Sequence, residues 1–142
     1  KDELILAALK HYDGVFRNGF VRHVESLADS PREQLLAIFD AAESWFLQNN
    51  FYGCMFINAT GEFSDKDTQI RQVCKDFKTM MGSYVRELCE KAGAREPEKL
   101  AEEIAILLEG AIVTSQVSQK PEAAQIAKRT VEGRIQQELS DT

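Results

Sequence analysis

Apolar residues recur every three or four positions through five long stretches of the chain, the spacing that places them on one face of a helix. The first stretch covers residues 2–28, and the others begin near Pro31, Ser64, Pro97 and Pro121. Nothing between them resembles a β-hairpin. The pattern therefore predicts an all-α fold.

The helix boundaries carry their own signals. Ser30 is suited to cap a helix, Pro31 to occupy its first position, and Glu33 to complete a capping box. At the other end of a helix, Gly93 after Ala92 suits the left-handed conformation that terminates many helices. We expect helices to begin at residue 31 and to end near residue 92.

One segment, residues 51–63, is short, apolar and bounded by glycine. Its periodicity alone fits either a buried strand or a short helix. In a helix, Asn58 and Glu62 would share one face, because they lie four residues apart. Counting this segment as helical, we predict a bundle of about six helices.

The two parts of the chain differ in side-chain size. All eight Phe, the single Trp and the three Tyr lie before residue 85, whereas Gly, Ala, Ser and Thr are frequent in the last two helices. We expect residues 1–95 to enclose a pocket. Residues 96–139 are suited to close helix packing, either against a second copy in a symmetric four-helix bundle or within the chain.

Length and charge restrict the function classes. A chain of 142 residues is the size of one domain. Its net charge of −6 repels phosphate, so the chain is a poor nucleic-acid binder on its own. No apolar run approaches the roughly 20 residues that span a bilayer, and we expect no membrane partner. Three cysteines without a CxxC spacing indicate reduced thiols in a cytoplasm. Because the chain begins with Lys1, we expect a segment to precede it.

Four segments together resemble the C-terminal regulatory domain of TetR/AcrR-family transcriptional repressors. They occur in the family's order along nearly the whole chain, and they are Lys1-Asp2-Glu3-Leu4, Pro31-Arg32-Glu33-Gln34-Leu35-Leu36, Gly53-Cys54-Met55-Phe56-Ile57-Asn58-Ala59 with Glu62-Phe63, and Leu107-Leu108-Glu109-Gly110-Ala111 with Pro121-Glu122-Ala123-Ala124.

The resemblance implies a cytoplasmic bacterial repressor domain over residues 1–142. Such a domain binds a small-molecule inducer between its helices and dimerises through its last two helices. Operator DNA is bound by an N-terminal helix-turn-helix domain, which this chain lacks. We therefore expect a homodimer that takes a small hydrophobic or amphipathic effector and meets DNA only through the missing domain.

The ligand site needs apolar walls and a few placed polar groups. The residues that we predict to line it are Trp45, Phe56, Asn58, Glu62, Phe77, Met81 and Tyr84. Core packing is the alternative for each aromatic, and helix capping is the alternative for Asn58. The residues that we predict at the dimer interface are Ile104, Leu108, Ala111, Ile112, Ser115, Ala123, Ile126, Ala127 and Thr130.

Other chemistry has little support in the sequence. Cys54 is a candidate redox or electrophile sensor, whereas His11 and His23 point in different directions from one helix and do not suit a shared metal. We predict no cofactor, no metal and no catalytic residues, because no phosphate loop or nucleophile–base spacing occurs. A helical adaptor that binds proteins and lacks a small-molecule site is the alternative function.

Overall fold

The computed structural model describes residues 2–63 and 68–139 and confirms the all-α prediction. These ranges contain six helices: α1 (Asp2–Leu27), α2 (Pro31–Phe46), α3 (Met55–Phe63), α4 (Thr68–Ala92), α5 (Pro97–Ser118) and α6 (Ala123–Glu138). The ambiguous segment is helical over α3, and no strand occurs in the described ranges. The helix start predicted at Ser64–Asp67 lies outside the described residues.

The two predicted helix boundaries are confirmed. The Ser30 hydroxyl accepts a hydrogen bond from the Glu33 amide at 3.1 Å and donates one to the Glu33 carboxylate at 2.9 Å. Beyond α4, Gly93 adopts φ +87°, and the amides of Gly93 and Ala94 donate to the carbonyls of Glu90 and Cys89. This pair of bonds is a Schellman motif, which satisfies carbonyls that the helix leaves unpaired.

Helix α2 lies at the centre of the fold. It packs against α1, α4, α5 and α6. Leu35, Ile38, Phe39 and Ala42 on its buried face have no exposed surface, and burying a side chain of the size of Ile or Phe contributes about 1.5–3 kcal/mol. The apolar stripe of α2 therefore organises the core.

Polar contacts fix the α5–α6 pair to itself and to α2. The buried Glu138 carboxylate accepts a hydrogen bond from the Glu96 amide at 2.9 Å, which joins the end of α6 to the start of α5. Lys128 of α6 forms an ion pair with Asp40 of α2 at 3.0 Å. The first bond joins α5 to α6, and the second joins α6 to α2.

Most side chains that we predicted at a dimer interface are buried within the chain itself. Less than a tenth of the surface is exposed at Ile104, Ala111, Ile112, Ser115, Ala123 and Ala127. Leu108 is half-buried against the same core, and only Ile126 and Thr130 are exposed. The small residues of α5 and α6 mainly allow these helices to pack closely within the chain.

A second apolar stripe lies on the outward faces of α5 and α6. On α5 it consists of Ile106, Gly110, Val113 and Val117, which are exposed and spaced by three or four residues. On α6, the exposed Ile126, Thr130 and Gly133 repeat that spacing. Both helices also pack on α2, so these stripes point away from it.

No helix in the described part of the chain is long and apolar enough to cross a membrane.

Candidate functional site

A cleft of about 780 Å³ lies between α1, the end of α2 and α3. Helix α1 packs on α2 and α4, α3 packs on α4, and α1 and α3 meet at the rings of Tyr12 and Phe56. One face of α1 forms a wall from Ile5 to His23, which corresponds to about 27 Å at 1.5 Å per residue. The lining residues of α1 are Ile5, Ala8, Leu9, Tyr12, Val15, Phe16, Gly19, Phe20 and His23.

The opposite wall comes from the end of α2, the loop after it, and α3. Its residues are Ala41, Ser44, Trp45, Gln48, Asn50, Tyr52, Gly53, Met55, Asn58, Ala59 and Glu62. Small residues keep the cleft open on both sides, as at Ala8, Gly19 and Ala59. A Cβ added at Gly19 would meet nothing within 4 Å, so a larger side chain at this position has room to occupy the cleft.

Aromatic rings form one side of the cleft. Phe16 stacks on Tyr12 with ring centroids 5.4 Å apart and contacts Trp45 at 4.8 Å. Burial raises the pKa of the Tyr12 hydroxyl to about 12, with a smaller contribution from Cys54. Tyr12 is therefore a neutral phenol at physiological pH and is able to donate a hydrogen bond.

The loop before α3 is held by side-chain amides. The Asn58 amide donates to the Tyr52 carbonyl at 2.9 Å, and its oxygen accepts a hydrogen bond from Gln116 of α5 at 3.4 Å. Gly53 adopts φ +87°, and a Cβ at this position would collide with the Gln116 side chain. Asn58 thus holds the backbone of the loop before α3 and also lines the cleft.

We expect Gly53→Ala to destabilise the chain more than Gly93→Ala. Both glycines have φ +87°, which costs an L-residue about 1–2 kcal/mol. Only at Gly53 does the added methyl group also displace Gln116, which breaks the hydrogen bond to Asn58 and costs about 0.5–1.5 kcal/mol more. Urea unfolding of both variants measures the difference, and equal losses of stability would show that Gln116 moves without cost.

The predicted ligand residues divide among several places. Trp45, Asn58 and Glu62 line the cleft. Phe56 and Phe77 are buried and stack on each other with centroids 4.0 Å apart, so the core-packing alternative holds for this pair. Their stacked rings pack α3 against α4.

Met81 and Tyr84 also lie away from the cleft. Met81 lines a cavity of about 100 Å³ between α1, α2, α4 and α5, together with Phe77 and one side of Trp45. Tyr84 faces α1 near Arg22 and Glu25. Its hydroxyl is buried and has no hydrogen-bond partner among the described residues, and burial followed by the charge of Glu25 raises its pKa to about 12. Tyr84 therefore belongs to the α1–α4 packing, whereas Met81 lines a cavity that shares Phe16, Phe20 and Trp45 with the cleft.

Sequence reasoning missed the contribution of α1. Tyr12, Val15 and Gly19 line the cleft on a face next to the fully packed one that contains Leu9 and Val24. The available signal was the width of the apolar face of α1, which includes Val15 besides Leu9 and Val24.

The remaining candidates are the cysteines and a metal site. Cys54, Cys74 and Cys89 are free and buried, and burial, followed by the charges of Glu138 and Glu90, raises the pKa of Cys89 to about 12. No group of three or more His, Cys, Asp or Glu side chains is placed to hold a metal among the described residues.

The comparisons with known proteins agree on one family. The family model described as "Tetracyclin repressor-like, C-terminal domain" matches residues 31–131. No curated protein matches the chain.

Two solved structures share the fold. SCO4454, a TetR-family transcriptional regulator from Streptomyces coelicolor, aligns with a TM-score of 0.86 and 21% identity over 97% of this chain and 72% of its own. The protein sav143 from Streptomyces avermitilis, assigned as a TetR transcriptional regulator, aligns with a TM-score of 0.80 and 25% identity over 94% of this chain and 74% of its own.

Proposed function

The chain belongs to the tetracyclin repressor-like C-terminal domain family, and on this premise we propose that it binds a small hydrophobic or amphipathic effector in the cleft. The binding is relayed through a homodimer to a DNA-binding domain that lies outside this chain. The protein acts as a transcriptional repressor in the cytoplasm, and the domain performs no catalytic step.

The cleft along α1 is the observation that supports this function. Its volume of about 780 Å³ is within the range of small-molecule sites, and its lining combines apolar walls with a few polar side chains. Helix α1 is also the first helix of the domain, the position that connects to the DNA-binding domain in the family. A ligand in the cleft thus contacts the helix that would transmit its effect.

The mechanism that we propose is a shift between two positions of α1. One side of α1 packs on α2 and α4, while its other side faces the cleft. A ligand that fits only one of these positions stabilises that position by the difference between its binding free energies for the two. In the dimer, this displacement changes the spacing of the two recognition helices and hence the affinity for the operator.

The dimer would use the outward stripes of α5 and α6, defined above by Ile106, Gly110, Val113 and Val117 and by Ile126, Thr130 and Gly133. Glycines in both stripes allow close approach of a partner helix. Large exposed apolar side chains in a row are typical of an interaction surface. A symmetric four-helix bundle would bury both stripes.

A thermal-shift screen with small hydrophobic and amphipathic compounds tests effector binding. Ligands that bind only the folded chain raise its melting temperature, by an amount that grows with concentration over Kd. If no compound of this kind raises the melting temperature, the adaptor alternative is favoured instead.

Gly19→Leu should then block the cleft. We expect the affinity for any compound found in the screen to fall by about fivefold or more, because the leucine side chain fills space between the walls. Gly61→Leu is the matched control, since Gly61 is an exposed glycine of α3 that does not line the cleft. Equal affinities of the two variants, measured by titration calorimetry, would place the ligand elsewhere.

A further inference from the structure

The charges along the cleft are of one sign. Among its described lining residues there is one carboxylate, Glu62, and there is no Lys or Arg. The other ionisable side chains among these lining residues are His23, Tyr12 and Tyr52, and the chain as a whole has a net charge of −6. An anionic ligand would therefore find no Lys or Arg in this lining, whereas a cation would find the Glu62 carboxylate.

The Glu62 carboxylate is available to a ligand. Glu62 is exposed on the last turn of α3, and it has no hydrogen bond or ion pair with any described residue. Some carboxylates elsewhere on the chain are engaged, such as Asp40 with Lys128 and Glu103 with Arg134. Glu62 differs from them because it faces a cleft and not a basic partner.

The aromatic lining adds a second attraction for positive charge. The faces of Tyr, Phe and Trp rings carry negative electrostatic potential and attract cations. Tyr12, Phe16 and Trp45 contact one another in a row, and Tyr52 stands 76% exposed in the loop at the cleft. These rings offer an aromatic cation both stacking surface and cation–π contacts.

Basic side chains line a different cavity. Arg71, Lys75 and Lys78 surround a space of about 680 Å³ between α3 and α4, where Lys78 also pairs with Glu109 at 3.2 Å. Phe56 lines this second cavity and not the cleft. The two sides of α3 therefore differ in charge.

We propose that the cleft selects amphipathic aromatic cations, with Glu62 as the counter-charge. This inference rests on the proposed function and specifies the class of its effector. Neutral polar groups such as Ser44, Gln48 and Asn50 would serve the uncharged part of the ligand.

Tetraphenylphosphonium, tetraphenylborate and triphenylphosphine oxide are suitable probes, because they are similar in shape and carry positive, negative and no charge. Trp45 is the only tryptophan and it lines the cleft, so quenching of tryptophan fluorescence reports binding there. We expect the full chain to bind the cation at least about tenfold more tightly than the anion at low ionic strength.

A pair of charge-neutralising variants separates the local charge from the net charge. Glu62→Gln should weaken binding of the cation by about threefold, the size expected for one exposed charge, and leave the neutral probe unchanged. Glu87→Gln, at an exposed position of α4, is the control and should affect neither probe. Added salt should reduce the effect of Glu62→Gln.

The outcomes distinguish this inference from the function on which it rests. If the neutral or anionic probe quenches Trp45 as strongly as the cation, or if Glu62→Gln and Glu87→Gln behave alike, the charge selection is overturned and the effector site stands. If none of the three probes quenches Trp45, the cation inference is overturned together with the assignment of the site to the cleft.

Discussion

Replacement of Phe56 by alanine is expected to lower the free energy of unfolding by about 3–5 kcal/mol, the usual cost of removing a buried phenylalanine. Phe56 is 1% exposed. Its ring centroid lies 4.0 Å from that of Phe77 of α4, on which it stacks, and 5.6 Å from that of Tyr12 of α1. Helix α3 has nine residues, too few to be stable alone. Its position therefore depends on this ring.

The measurement is urea unfolding followed by circular dichroism. Tyr52→Ala is the control, because it removes an aromatic ring from the same region at a site that is 76% exposed, and we expect a change within about 0.5 kcal/mol. A loss below about 1 kcal/mol for Phe56→Ala would contradict the packing of α3 described above. Because whole domains have only about 5–15 kcal/mol of stability, the variant should be studied at low temperature.

The second large effect is expected at the outward face of α5. Val113→Glu should weaken the proposed dimer by about 30-fold or more, since a charge buried at the centre of an interface costs at least about 2 kcal/mol. Val113 lies in the middle of the stripe between Ile106 and Val117 and is partly exposed in the single chain. The substitution should therefore leave the fold of each protomer intact.

Sedimentation velocity across a concentration series measures this effect. Leu27→Glu introduces the same charge at an exposed apolar position at the end of α1, and it should leave the dimer unchanged. A chain that is monomeric at micromolar concentration without any substitution would contradict the dimer. A dimer that tolerates Val113→Glu would contradict the surface chosen for it.

Helix boundaries could be predicted because their signals are local. Ser30 and Glu33 form their capping contacts within one turn, and Gly93 meets the carbonyls of the helix that it ends. Neither requires knowledge of the rest of the fold. The resemblance to the family could also be recognised from the sequence, because it depends on short segments in a fixed order.

The faces of α5 could not be assigned from the sequence. Apolar residues occur on both sides of this helix, so that Ile104 and Ala111 follow one stripe while Ile106 and Val113 follow another. Periodicity identifies stripes, but it does not say which of two meets the chain's own core. The stripe richer in small residues turned out to be the internal one.

The cleft was predictable only in part, because a cavity depends on what is absent between distant elements. Trp45, Asn58 and Glu62 lie in it, yet Phe77 and Phe56 fill the space beside it. The glycine and alanine positions that leave room, such as Gly19 on α1, carry no chemical signal of their own. Their effect arises only when α1 and α3 are placed opposite each other.

The most direct test of the central claim, an effector cleft along α1, is a crystal structure of the chain grown with tetraphenylphosphonium. We predict electron density for the ligand between α1 and α3, in contact with the rings of Tyr12 and Trp45 and near the Glu62 carboxylate. Density confined to the basic cavity beside Lys75, or a cleft closed by its own side chains in the presence of the ligand, would contradict it.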